Sequence, residues 1–143
     1  EYGLLIVGPG FNEYYEKQIV NQTNIIYLGA IFDSIKVNEI FKAAALFCIP
    51  GTNGLGINQA MYWGLPCLTL NVHHSPEIAY LENNVTGYMI KTKDELADKI
   101  FYLLENNTER LRVSINAKNR ITSEASIGVM FKGFLNAVNF LNK

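Results

Sequence analysis

The chain contains 143 residues with a formal net charge of −1, and 49% of its residues are hydrophobic while 17% are charged. This size and composition suit one α/β domain with a substantial core, and the near-zero charge gives no indication of a nucleic-acid partner. No apolar run approaches the roughly 20 residues of a membrane-spanning helix, so we expect no transmembrane segment.

Apolar runs and turn residues predict strands that alternate with helices, the pattern of a parallel sheet with helices on both faces. The expected strands are residues 4–8, 24–28, 45–49, 67–70 and 87–90. The expected helices are residues 11–22 and 35–44, one after Gly56, a short one from Ser75, one after Thr92, one from about Thr108, and residues 127–141. Cys48 and Cys67 fall in strands and are expected to be buried as small hydrophobic side chains, which indicates a reducing compartment.

Helical spacing predicts which side chains of these helices face the core. The expected inward side chains are Tyr14, Tyr15, Ile19, Val37, Ile40, Phe41, Leu96, Ile100, Leu103, Leu104, Leu111, Ile115, Met130, Phe131, Phe134, Leu135 and Val138. N-cap residues are expected at Asp33 or Ser34, at Ser75 before Pro76, and at Thr92 in a capping box with Glu95.

The stretch from Pro50 to Leu70 combines a glycine-rich turn, a short helix and a strand. Glycines at positions 51, 54 and 56 let the backbone turn sharply and approach a ligand. The free N–H groups at the start of the following helix, together with its dipole, favour a phosphate at this point. An ordinary glycine-containing strand-to-helix turn is the alternative, because glycine spacing alone is a weak motif.

The same stretch resembles the signature region of the glycosyl transferases group 1 family, retaining enzymes of the GT-B fold also called GT4. Members carry the pattern E-G-F-G-L-x-x-x-E-A-M-x-x-G-x-P-V. The matching residues here are Gly54, Leu55, Ala60, Met61, Gly64 and Pro66. Residues 5–10 and 27–30 are similar to the family's strands ending in V-G-x-G and L-G, and residues 75–78 and 84–88 to its P-E-I and G-x-T-G motifs.

This resemblance implies a three-layer Rossmann-like domain over residues 1–143, equivalent to the C-terminal, donor-binding half of a GT-B fold. We expect the first strand–helix unit and the N-terminal acceptor domain to be missing, and the isolated chain to bind donor weakly and transfer nothing. The implied activity is transfer of a hexosyl group from a nucleotide-sugar to an acceptor hydroxyl with retention, without a metal cofactor, in polysaccharide or glycoconjugate synthesis. The implied partners are the nucleotide-sugar donor and the N-terminal domain of a longer chain, which is expected in the cytoplasm at the inner face of the membrane.

Two departures from the family pattern fall on its paired glutamates. Gly51 stands where the first glutamate is expected, near the transferred sugar, and Gln59 stands where the second accepts hydrogen bonds from the ribose. The Gln59 amide still bonds a hydroxyl, but without the charge that strengthens carboxylate bonds. The resemblance leaves the catalytic residues unknown.

The residues expected to bind the nucleotide-sugar fall into four groups. The backbone N–H groups of Gly54 and Leu55 are expected on the phosphate, and Gln59 on the ribose. Gly29, Ala30 and Ile31 are expected to border the base. The remaining expected residues are Gly51, Thr52, Asn53 and His73.

Other residues and other functions have competing interpretations. His73 and His74 are either ligand contacts or part of a solvated loop, and Glu77 is expected to be a charge that favours a helix start. The alternative functions are a sugar-nucleotide epimerase of the GT-B type and a degenerate, non-catalytic scaffold domain. Nucleotide binding separates the scaffold from both enzymes, and release of nucleotide that depends on an acceptor separates transferase from epimerase.

Overall fold

A computed structural model describes residues 2–10 and 12–141. The chain divides into two compact units, of which the first ends at Ile40 and the second begins at Phe41. All strand pairing in the described residues is parallel, as expected, and the strands form two hydrogen-bonded sheets, one in each unit.

The sheet of the first unit pairs β1 (Leu4–Ile6) with β2 (Ile25–Tyr27). Helix α1 (Glu13–Ile19) connects them. It begins at Glu13 because the Asn12 side chain accepts hydrogen bonds from the amides of the first turn. This helix is shorter than the expected span of residues 11–22, of which residue 11 lies outside the described residues. Both strands are also shorter than expected.

The expectation that Tyr14 and Tyr15 turn inward is wrong. Their side chains are 65% and 52% exposed, and their rings contact each other edge to face with centroids 5.2 Å apart. Only Ile19 of the three expected α1 positions is half-buried. Helix α2 (Ser34–Ala43) begins as expected, since the Asp33 carboxylate accepts the N–H of Lys36 at 2.9 Å.

The sheet of the second unit has the order β3-β4-β5. Its strands are β3 (Phe47–Cys48), β4 (Cys67–Leu70) and β5 (Gly87–Ile90). Strand β3, at the edge of this sheet, is shorter than the expected residues 45–49 and is half-buried. Cys48 is accordingly half-buried, contrary to expectation, whereas Cys67 is buried as expected.

Helices cover both faces of this three-stranded sheet. On one face, Cys67 packs with α3 (Leu55–Tyr62) and α5 (Asn107–Glu124). On the other face, the next residue, Leu68, packs with α4 (Lys93–Glu105). Because successive side chains of a strand point to opposite faces, β4 contributes to two separate cores.

Helix α5 buries a different stripe from the expected one. Leu111 and Ile115 are more than half exposed, and the buried positions are Val113, Ala117 and Ile121. Thr92 caps α4 as expected, with its hydroxyl accepting the N–H of Glu95.

The last helix, α6 (Ile127–Leu141), does not join a core in the described residues. No α6 residue is buried, and Phe131, Phe134 and Val138 are each more than half exposed, so the expected core stripe is wrong for this helix. Among the described helices, none combines the length and the hydrophobicity of a membrane-spanning segment.

Candidate functional site

The glycine-rich loop follows β3 and leads directly into α3. Gly54 is the N-cap residue of α3 and supplies no side-chain cap. Its own N–H donates to the Asn53 side-chain oxygen at 3.0 Å, while its carbonyl oxygen accepts the N–H of Ile57. Among the described residues, the amides of Leu55 and Gly56 have no protein acceptor. The first turn of α3 therefore presents two unpaired N–H groups, the usual chemistry of an anion site.

A second loop, residues 71–75, follows β4 and is joined to the first by hydrogen bonds. The Thr52 hydroxyl donates to the carbonyl oxygen of His73 at 3.0 Å. The Asn53 N–H donates to Nδ1 of His74 at 3.1 Å, and the Asn53 carbonyl oxygen accepts the N–H of Ser75 at 3.1 Å. These bonds fix the glycine-rich loop against the end of β4.

Asn53 is the residue on which this arrangement depends. It is only 4% exposed, and its N–H, its carbonyl oxygen and its side-chain oxygen each have a partner. A buried polar group without a partner is costly, so each of these bonds constrains the loop. Gly56 packs closely against the same loop, because a Cβ there would lie 3.1 Å from the Phe47 ring and 3.3 Å from the Asn53 side-chain oxygen and would press on both side chains.

The remaining expected site residues of this unit lie on or beside α3. Gly51 is exposed, and a Cβ there would meet nothing within 4 Å. Leu55 is 72% exposed, and Gln59, one helical turn later on the same face, is half-buried. The His73 side chain is exposed.

Gly29, Ala30 and Ile31 belong to the first unit and follow β2. Gly29 has φ +69°, and its carbonyl oxygen accepts the N–H of Gly8 at 2.9 Å. Their expected contact with a base stays a prediction.

Glu77 lies beside Gly54 in the structure. It belongs to a 3₁₀ helix, Pro76–Tyr80, that packs against α3. A Cβ on Gly54 would lie 3.9 Å from the Glu77 Oε2 atom and 3.4 Å from the Ser75 hydroxyl. Glu77 Oε2 is buried without a hydrogen-bond partner among the described residues. Ser75 is the N-cap residue of this helix as expected, with Pro76 at its start and Glu77 in its first turn, although the Ser75 side chain makes no cap hydrogen bond.

The expected charge of Glu77 at a helix start is confirmed, but sequence reasoning missed that Glu77 lies beside Gly54 and that His74 bonds Asn53. The P-E-I motif was a signal for Glu77, but its proximity to Gly54 arises from tertiary packing. His74 is 21 positions from Asn53, and no local pattern connects them.

A polar cluster away from α3 ties the turn before β5 to α5. The Glu109 carboxylate accepts hydrogen bonds from the Tyr88 hydroxyl at 2.7 Å and from the Arg112 guanidinium, and Arg112 also donates to the carbonyl oxygen of Asn84. The Arg112 and Tyr88 hydrogen bonds lower the pKa of Glu109 from 4.5 to about 2. Burial and the bond to Glu109 raise the pKa of Tyr88. The cluster has the geometry of a structural clamp.

Comparison with known proteins identifies the family. A family model described as "Glycosyl transferases group 1" matches residues 1–106. No curated protein sequence matches the chain.

Three solved structures illustrate the shared fold. A Staphylococcus aureus TarM mutant, crystallised with fondaparinux, alpha-GlcNAc-glycerol and UDP, has a TM-score of 0.80 at 20% identity, over 94% of this chain and 28% of TarM. Anabaena HepE in complex with UDP has a TM-score of 0.78 at 18% identity, over 96% of this chain and 41% of HepE. The C-terminal domain of the group 1 family protein LpcC from Francisella tularensis has a TM-score of 0.66 at 22% identity, over 80% of this chain and 60% of that domain structure.

These likenesses confirm the expected fold class, an α/β Rossmann-like fold with parallel strands flanked by helices, as in the C-terminal half of GT-B glycosyltransferases. The chain spans well under half the length of TarM and HepE. Since the family model matches about three quarters of the sequence, the chain belongs to the glycosyl transferases group 1 family.

Proposed function

We propose that this chain is the donor-binding part of a glycosyltransferase and that the diphosphate of a nucleotide-sugar binds at the N-terminus of α3. The observation that carries the proposal is the pair of unpaired amides at Leu55 and Gly56, in the first turn of α3. Membership of the group 1 family supports the same interpretation. UDP accompanies both TarM and HepE in their structures, which makes a uridine nucleotide the first candidate.

The amide assignment refines the expectation from sequence. Gly54 and Leu55 were the expected phosphate donors, but the Gly54 N–H is already bonded to Asn53. We therefore assign the diphosphate contacts to Leu55 and Gly56. Gln59 follows Leu55 by one turn, so its amide is assigned to a ribose hydroxyl.

The proposed reaction is attack by an acceptor hydroxyl on the anomeric carbon of the donor sugar, with retention of configuration. The bond between that carbon and the diphosphate oxygen breaks, a bond to the acceptor oxygen forms, and the acceptor proton passes to an oxygen of the departing diphosphate. Negative charge grows on the diphosphate as it departs. N–H groups already aimed at that position lower the barrier, and removal of one such donor in comparable sites costs roughly 3 kcal/mol.

The rest of the proposal concerns the longer protein. A separate N-terminal domain would supply the acceptor site, and the product would be a polysaccharide or glycoconjugate made in the cytoplasm at the inner face of the membrane. Gly51, Thr52 and His73 would border the sugar. No protein-held metal is part of the proposed reaction.

The test is an NMR titration of the chain with UDP, UDP-glucose, GDP and ADP. We expect saturable amide shifts at Leu55, Gly56 and Gln59, with one base preferred. The amide of Gly133 in α6 serves as the internal control and should not move. If no nucleotide shifts the α3 amides, the donor-binding proposal is wrong and the scaffold alternative gains support.

A further inference from the structure

The His74 ring bridges the glycine-rich loop and the end of β4 through both of its nitrogens. Nδ1 accepts the N–H of Asn53 at 3.1 Å, and Nε2 lies 2.9 Å from the carbonyl oxygen of Leu70. The Thr69 hydroxyl lies 3.4 Å from Nε2. The ring is half-buried, and the proposed function assigns it no contact with donor or acceptor.

These contacts determine where the ring proton lies. A nitrogen that accepts an N–H carries no hydrogen, so Nδ1 is unprotonated. Nε2 then carries the proton and donates it to the Leu70 carbonyl oxygen. The imidazole therefore accepts a hydrogen bond at Nδ1 and donates one at Nε2, and only its neutral Nε2–H form does both.

We infer that His74 is a positioning residue for the anion site: its neutral imidazole sets the orientation of the Asn53 peptide and, through it, of the Leu55 and Gly56 amides. Asn53 is buried and lies two residues before Leu55, so rotation of its peptide would be transmitted along the short connection to α3. Loss of the acceptor would leave the Asn53 N–H buried without a partner, and the loop would shift to solvate it. The consequence for ligand affinity rests on the proposed function, whereas the hydrogen-bond arrangement does not.

Three substitutions of His74 distinguish the contribution of its hydrogen-bond acceptor, Nδ1, from that of its donor, Nε2–H, and from that of the ring's bulk. His74→Asn keeps an oxygen acceptor near the position of Nδ1, His74→Gln keeps an amide donor near that of Nε2, and His74→Phe keeps an aromatic ring with neither. We expect His74→Asn to bind UDP within about 3-fold of the unsubstituted chain, and His74→Phe and His74→Gln to bind it about 10-fold more weakly, as one lost hydrogen bond implies. Asn71→Phe is the matched control in the same loop, because the Asn71 side chain is exposed and its backbone N–H donates to the Ile90 carbonyl oxygen whatever the side chain.

Two measurements on the free chain test the arrangement without any nucleotide. The ¹⁵N chemical shifts of the His74 ring should report an unprotonated Nδ1 and a protonated Nε2. The amides of Asn53, Leu55 and Gly56 should shift strongly in His74→Phe and much less in His74→Asn.

The outcomes distinguish this inference from the proposed function. If the unsubstituted chain binds no UDP, the proposed function fails, and the ring tautomer and the free-chain amide shifts still decide the role of His74. A protonated Nδ1, or equal perturbation by the Asn and Phe substitutions, would overturn the inference. A purely structural role would lower the melting temperature and the affinity together in all three variants, so retained affinity in His74→Asn alone is the signature of positioning.

Discussion

A methyl group on Gly87 would lie 2.6 Å from the carbonyl oxygen of Cys67 on the neighbouring strand. It would also lie 3.1 Å from the Leu81 side chain. Both neighbours belong to the packed interior, and backbone cannot move aside cheaply. The pairing of β4 with β5 therefore requires glycine at this position.

Gly87→Ala should consequently destabilise the chain by about 2–3 kcal/mol, the upper range for an overpacked core. The free energy of unfolding, measured by urea denaturation with far-UV circular dichroism, tests this. Gly133→Ala is the matched control, since a Cβ there meets nothing within 4 Å and alanine favours a helix by about 0.5–1 kcal/mol. Equal stabilities for the two variants would show that the β4–β5 contact is looser than described.

The clamp formed by Glu109 with Tyr88 and Arg112 is predicted to lose its stabilising effect in acid. The pKa of Glu109 is lowered in the folded chain, from 4.5 to about 2, so its contribution is fully present above about pH 4.5 and disappears as the pH falls towards 2. Melting temperatures between pH 6 and pH 2 should fall less steeply for Glu109→Gln than for the unsubstituted chain. The exposed Glu39→Gln is the control and should keep the original slope; parallel curves for all three would exclude the clamp as the source.

Gln59 is predicted to contribute to nucleotide affinity without contributing to stability. Its side chain is half-buried and has no protein partner among the described residues, so Gln59→Ala removes only a contact to ligand. UDP affinity should fall about 3- to 10-fold, the worth of one hydrogen bond, in an isothermal titration. The corresponding change at an exposed glutamine of α1, Gln18→Ala, should have no effect, and an unaltered affinity in Gln59→Ala would remove this residue from the site.

Removing the charge of Glu77 is predicted to raise the affinity for UDP, whereas truncating Gln59 is predicted to lower it. Its carboxylate lies beside Gly54, close to the amides proposed to bind the diphosphate, and two like charges repel. Glu77→Gln should therefore raise UDP affinity by about 3- to 10-fold. Glu105→Gln, at the C-terminal end of α4, removes the same charge and should leave the affinity unchanged. A weaker binding of UDP by Glu77→Gln would mean that the carboxylate contacts the ligand favourably.

Residues adjacent in sequence were enough to predict where α3 ends. The stop of α3 at Gly64 is confirmed, since Gly64 has φ +72° and the Leu65 N–H donates back to the Ala60 carbonyl oxygen. That termination depends on residues adjacent in sequence, which is why glycine followed by Leu65 and Pro66 sufficed to predict it.

Periodicity could not choose between two equivalent stripes of α5. Leu111 and Ile115 share the spacing of Val113 and Ala117, and only tertiary packing decides which pair faces the sheet. The same limitation applies to the site. Its glycines and Gln59 were visible as a motif, whereas the bond between Asn53 and His74 exists only because two separate loops meet.

The alternation of Cys67 and Leu68 has a consequence for how firmly the site is held. A slip of β4 by one residue would exchange the side chains offered to the two cores and would turn Thr69 towards the opposite helices. Packing on both faces of the sheet opposes that slip. The loop that carries His74 leaves from the end of this doubly anchored strand, so its origin is specified on both faces of the sheet even though the loop itself lies at the surface.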